Sequence, residues 1–347
     1  MRPSIHLAAL CAGVLLLAPA AAQQSTHAGV SEVDLKNFIG KVTVETTAGG
    51  SVSLNRSQGA DAGYPVYVEE KGGVLTIRSD EDPDDVDWWD DVDWRRYEEN
   101  AFDKFLEDYP TITLRIPAGT ALDFDSVVTR LTADDTNGRL AIREGHVSGV
   151  IGDIAEADIS IHGSGDMKIG RIAGAFITGI YGSGDLDAKS AGSLMASIHG
   201  SGDVTLGPVA GAAAMSIHGS GDISLADISG PLKLSIHGSG DIETGAVDGG
   251  AEIGISGSGN VALASVNGKT AAKIHGSGDI DIDSGRAEDL QVDMRGSGSF
   301  GFGGLATNPV VNASHSSDIR IARHEGTVTA RGDGEIIISG VDYSDDD

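Results

Sequence analysis

The chain has 347 residues, 50 of them glycine, with 5% aromatic residues and a formal net charge of −28. So large an acid excess argues against nucleic acid and anionic lipid as partners, and leaves divalent cations, basic proteins and neutral glycans. A single cysteine, Cys11, excludes a disulfide framework, and the low aromatic content predicts a core of Ile, Val, Leu and Ala in thin layers.

At the N-terminus, Arg2 precedes an apolar run from Leu7 to Ala18, and the small residues Pro19-Ala20-Ala21-Ala22 end it. This is the pattern of a secretory signal peptide over residues 1–22, which predicts an exported protein of the periplasm, cell surface or extracellular space. Cys11 lies inside that segment, and Leu10 before it is too large for the usual lipoprotein cleavage pattern. The mature chain is therefore expected to hold no thiol, disulfide or thiolate metal site. No later apolar run is long enough for a transmembrane helix.

Residues 23–122 read as a β-rich cap. Val42-Thr43-Val44, Val52-Ser53-Leu54, Val66-Tyr67-Val68, Leu75-Thr76-Ile77 and Ile112 to Ile116 alternate apolar and polar residues between glycine-containing turns. The segment is either an irregular first part of a solenoid or a small β-layer plugging its end, merging into the coils near Leu122 to Leu140. Some cap is required, because an open coil end exposes unpaired backbone and apolar side chains. Within it, the acidic insertion 80–108 carries every tryptophan, Trp88, Trp89 and Trp94. It reads as a lid whose aromatics cover the solenoid, or as a recognition loop in which these tryptophans bind a ligand. The spacing of Phe102, Phe105 and Leu106 predicts one short amphipathic helix near its end.

Residues 123–340 are organised by a returning phrase. Ile161-His162-Gly163-Ser164-Gly165-Asp166 recurs at Ile198 to Asp203, Ile217 to Asp222, Ile236 to Asp241 and Ile274 to Asp279. Looser copies put Tyr181 in the histidine place, Asn260 in the aspartate place and Ser299 after Gly298. The period is about 19 residues, in the range of stacked-repeat architectures, and a unit so short can bury a face only against its neighbours. Leu234-Ser235-Ile236-His237 and Ile223-Ser224-Leu225 alternate as strands do, while glycine recurs too often for helices. The fold predicted is all-β, a parallel β-helix (β-solenoid) with an irregular β-rich N-terminal cap. Residues 341–347 form an acidic tail, whose Asp345 to Asp347 would discourage end-to-end stacking.

Stacked coils place equivalent residues about 4.8 Å apart, so the phrase predicts ladders. One is of aspartates, Asp166, Asp185, Asp203, Asp222, Asp241 and Asp279. Neighbouring carboxylates repel by around 1 kcal/mol at ~4 Å even in water, so they need a justification. Either each accepts hydrogen bonds from nearby backbone N–H groups and holds its corner, as Asn260 would also do, or the row binds Ca²⁺, the one cofactor the pattern admits. The second ladder, His162, His199, His218, His237 and His275, points outward and reads as rings packed on rings. A Zn²⁺ or Cu²⁺ site would need several ligands converging on one ion. Pairing of His with Asp across each corner would make this edge sensitive to acid below about pH 6.5.

Catalytic patterns are thin. Gly296-Ser297-Gly298-Ser299-Phe300-Gly301 matches G-x-G-x-x-G but lies among strands, without the helix that would hold a phosphate. The reading is a non-catalytic envelope protein that binds or scaffolds a protein or glycan partner. Alternatives are a calcium-stabilised surface repeat protein and a carbohydrate-active enzyme on the same architecture. The repeated Ile-His-Gly-Ser-Gly-Asp, preceded by the alternating segment ending Ile116-Pro117-Ala118-Gly119-Thr120, resembles the bacterial family called putative auto-transporter adhesin, head GIN domain. That resemblance implies an exported β-helical protein and carries no established catalytic residues.

Overall fold

The computed structural model describes residues 23–57, 64–80, 83 and 101–344. Residues 1–22, read above as a signal peptide, the three tryptophans and Asp345 to Asp347 lie outside them. The chain forms a β-solenoid of about 11 turns, 67% strand and 2% helix.

The coil from Val204 to Asp222 shows how the sequence closes a turn. A three-residue strand, Val204–Leu206, is followed by a single bridging residue, Val209, then a five-residue strand, Ala213–Ile217, then the corner His218-Gly219-Ser220-Gly221-Asp222. Val204, Leu206, Val209, Ala213, Met215 and Ile217 all point inward and are buried. Each lies in parallel register with its counterpart in the next coil, Val204 with Ile223 and Ile217 with Ile236. The apolar period within a coil is therefore matched by apolar residues in register between coils, and one continuous core runs from Val30 to Ile338. It is not purely aliphatic, as the composition suggests. Phe38, Phe124, Phe176, Phe300 and Phe302 are among its largest fully buried side chains, and nearly all the aromatic content of the described coils is spent on filling their interior.

The glycines of the corner answer to close stacking. A Cβ on Gly219 would collide with the carbonyl oxygen of Gly200, and one on Gly221 with that of Gly202. Side chains at these two places would push adjacent coils apart, which is why the phrase keeps glycine on both sides of its serine.

At the N-terminal end the strands are β1 (Gln23–Ala28), β2 (Glu32–Thr47), β3 (Ser51–Ser57), β4 (Tyr67–Lys71), β5 (Val74–Arg78), β6 (Thr111–Pro117), β7 (Ala121–Ala133) and β8 (Arg139–Ile151). Parallel stacking begins with β2, which pairs with β7 as β7 pairs with β8, well before the first copy of the phrase. The other edge of β2 is covered by β5 and β6. β3 runs antiparallel to both β1 and β6, and β4 antiparallel to β5, which closes this end irregularly. At the opposite end Val341–Asp342 turns back antiparallel on Glu335–Ile338, and Tyr343 packs against the core.

The expected short helix is present as α1, Ala101–Phe105. Phe102 and Leu106 bury themselves on Ile39 and Val128, two side chains on the outer flank of β2 and β7, with Tyr64 completing the cluster. Arg130 of β7 clamps the helix through Asp103 at 3.0 Å.

Candidate functional site: a laddered face

The aspartates of the phrase stand in one file, each bonded to the next coil. Oδ1 of Asp166 accepts the backbone N–H of Asp185 at 3.0 Å, Asp185 that of Asp203 at 3.0 Å, Asp203 that of Asp222 at 2.8 Å, and Asp222 that of Asp241 at 2.7 Å. Asp241 then accepts from Asn260, Asn260 from Asp279 through its own Oδ1, and Asp279 from both the N–H and the hydroxyl of Ser299. The Asn and Ser copies therefore extend the file by the same geometry. A hydrogen bond to a charged acceptor is worth about 1.5–3 kcal/mol, enough to outweigh the repulsion of exposed neighbours. Oδ1 of each carboxylate is thus committed to backbone. The described His, Asp and Glu side chains that could converge on an ion are instead Glu32, Asp34 and Asp123, near the N-terminal end. Asp34 already pairs with Lys36 at 3.3 Å, and Asp123 with Arg143 at 3.0 Å.

A second file, which the sequence reading missed, braces another corner. Asp135 accepts the N–H of Asp153, Asp153 that of Arg171, and Asp227 that of Ala246, each at 2.8 Å. The signal was an Asp or Asn recurring at the same period outside the conspicuous phrase.

The imidazoles form a stacked column. His162, Tyr181, His199, His218 and His237 follow one another at centroid separations of 4.8, 5.0, 4.9 and 4.9 Å, with planes within 8° of parallel. Nδ1 of His199 lies 3.3 Å from the hydroxyl of Ser197, and that of His237 3.3 Å from Ser235. Partial desolvation, then the neighbouring His199 and His237, hold His218 below the usual imidazole value. Among the described residues no hydrogen bond or ion pair joins a ladder histidine to a ladder aspartate, so the suggested pairing across the corner is replaced by nearer partners, serine on one side and the next coil's amide on the other. His275 lies further along the same column, separated from His237 by Ser256.

This column is the edge of a broader face built from the outward positions of the five-residue strands. The next column is of small residues, Gly179, Ser197, Ser216, Ser235 and Gly254, before Lys273 and Asp293. Beyond it runs Ile177, Met195, Ala214, Lys233, Glu252, Ala271, Gln291 and Val310 in unbroken register. Ile177, Met195 and Val310 are 44%, 57% and 47% exposed, high for apolar side chains of this size. A shallow groove of about 950 Å³ follows this last column, bounded on its far side by Ala175, Ser193, Ala212, Pro231 and Lys269. Eight coils at the strand spacing give it a length of about 34 Å.

One coil before the His162 corner, His146 accepts the N–H of Ser164 and is buried at 4% exposure under α1, its ring edge-on to Phe102 at 4.8 Å. Burial, then the charge of Arg130, pushes it down to about 4. No helix among the described residues is long and apolar enough to cross a membrane.

Fold and face together define a class, a regular parallel solenoid that presents long rows of like side chains. The model of the family described as putative auto-transporter adhesin, head GIN domain, matches residues 150–263 and again 230–341, more than half of the sequence, and the chain belongs to that family. Similar solved structures include a "putative adhesin" from Bacteroides fragilis NCTC 9343, 14% identical over 70% of this chain and 96% of that one, with a TM-score of 0.41. Two more come from Parabacteroides distasonis ATCC 8503. A "putative adhesin" is 15% identical over 90% of this chain and 93% of that one, TM-score 0.25, and a "putative lipid binding protein" is 16% identical over 90% and 96%, TM-score 0.21. No curated protein matches the chain.

Proposed function

We propose that the protein is a non-catalytic adhesin-type module of the cell envelope, exported by its N-terminal segment, which holds an elongated protein or glycan partner along the laddered face. The observation that carries this reading is the unbroken register from Ile177 to Val310, with exposed apolar side chains at both ends of the row. A partner laid along the solenoid axis meets one outward side chain of this row at every coil, at a constant spacing, and binding gains from many weak contacts in series. Membership of an adhesin-type family points the same way. An enzyme on this architecture would break the regularity with a local cluster of acids and bases, and the face is instead regular.

The test is retention of the purified protein on immobilised envelope polysaccharides and extracellular proteins, compared with a Met195→Glu, Ser216→Arg double variant. Both substitutions fall at outward positions, so the two proteins should melt alike while only the wild type is retained. Equal retention would remove the face from the account, and shortening of a polysaccharide by the wild type would replace binding with catalysis. Protease treatment of intact cells separates surface from periplasm: cleavage means surface display, and protection until the envelope is opened means the periplasm.

A further inference from the structure

The ring column is broken at one place, where a serine holds the level between two histidines. Ile236, Ile255 and Ile274 are in register, so the residues after them, His237, Ser256 and His275, occupy successive levels of the column. Serine ends at its hydroxyl, and the backbone register puts the histidine positions above and below it two strand spacings, about 9.6 Å, apart. A ring entering midway would lie about 4.8 Å from each, within the 4.5–7 Å range of favourable aromatic pairs. The column already contains such an arrangement, since the phenol of Tyr181 sits 4.8 Å from His162 and 5.0 Å from His199 with planes within 8°.

A second observation opens the way in. Side chains two apart on a strand share a face, so the neighbour of Ser256 in the small-residue column is Gly254. A Cβ built on Gly254 meets only the carbonyl oxygen of Leu234, at ordinary van der Waals distance. The floor beside the break is therefore open, in contrast to the crowded corner glycines. The wall on the His237 side is held in place by Ser235 at 3.3 Å.

We propose that the break at Ser256 is a slot for one planar aromatic ring, occupied by a tyrosine side chain of the protein bound along the laddered face. The inference rests on that binding-face reading and narrows its partner to a protein with an exposed tyrosine. The imidazoles of His237 and His275 form the two walls, and Ser256 and Gly254 the floor.

The experiment is a titration of the full protein, carrying ¹³C-labelled histidine, with N-acetyltyrosinamide. N-acetylalaninamide and methyl glucoside serve as controls. The slot predicts shifts of the His237 and His275 ring resonances by the tyrosine probe alone, with His162 and His199 unmoved. Ser256→His fills the level with a ring of the column's own kind and should weaken the probe on the order of tenfold through loss of both ring contacts. His275→Ala, which removes one wall, should weaken it too, and this second variant keeps the test decisive if Ser256→His folds poorly. Equal binding by wild type and both variants, shifts spread evenly over the whole column, or the same shifts with methyl glucoside would each overturn the slot. The titration uses no partner, so its failure leaves the retention assay to judge the face, and failure of that assay leaves the titration unaffected.

Discussion

His146 makes acid the sharpest probe of how the inserted helix is attached. Its ring is buried between the coil and Phe102, Nδ1 accepts the N–H of Ser164 at 3.4 Å, and Arg130 brings a positive charge to the same patch. Burial first, then that charge, holds the folded-state value at about 4, against about 6.5 in an unfolded chain. The folded protein therefore resists a proton that the unfolded chain takes up. Stability from this group is complete above about pH 6.5 and lost as the pH falls toward 4. Linkage puts the loss at about 2 kcal/mol by pH 5 and about 3 kcal/mol by pH 4. Urea unfolding at about pH 7.5 and about pH 5 measures it, with His146→Gln as the comparison. The wild type should lose about 2 kcal/mol more than the variant over that interval, and amide exchange over residues 101–109 should accelerate first. Parallel pH dependences in the two proteins would refute the reasoning.

Asp222→Asn should cost little, because Asn260 already holds the same place with its Oδ1 on the N–H of Asp279, whereas Asp222→Ala strands the Asp241 amide and should cost about 1 kcal/mol by denaturant midpoint. Gly219→Ala drives a methyl into the Gly200 carbonyl and should lose at least about 1–3 kcal/mol; a melting point within error of wild type would contradict the close-stacking account. With Oδ1 of each ladder aspartate accepting an N–H, we expect neither Ca²⁺ nor a chelator to move the melting point, and a clear rise with Ca²⁺ would favour the cation reading of Asp166 to Asp279.

The solenoid was legible because its corner is written in the same letters at a constant period. Gly219 and Gly221 are demanded by the coil below, and a demand that recurs every coil leaves a recurrence in the sequence. The start of the stack was harder to see, since β2 and β7 meet the same packing requirement with Leu35, Phe38, Phe124 and Val127 and use no such corner. The antiparallel pairing of β3 with β1 and β6 depends on contacts between distant segments that alternation alone does not specify. The columns of Asp and His followed directly from the period. Their partners did not, because the donor to each aspartate is an amide about one coil away, and the serines beside His199 and His237 looked like ordinary strand positions. Asn260 was the readable hint, as an amide can replace a carboxylate in accepting an N–H but not in holding a calcium ion equally well. The groove and the gap at Ser256 come from the absence of side chains at particular levels, which a search for repeated residues passes over.

In-register stacking is the claim beneath all of this, and distances between spin labels test it most directly. Lys168, Asp187, Thr205, Ser224, Glu243, Ala262, Asp281, Gly301 and Arg320 form one outward column. In a Cys11→Ser background, labels at Thr205 and Asp281 should lie about 19 Å apart and labels at Lys168 and Arg320 about 38 Å, doubling as the number of coils between them doubles. Two separations that fail to scale with the coil count would show that the matching residues are not aligned, and the ladders, the face and the slot would go with them.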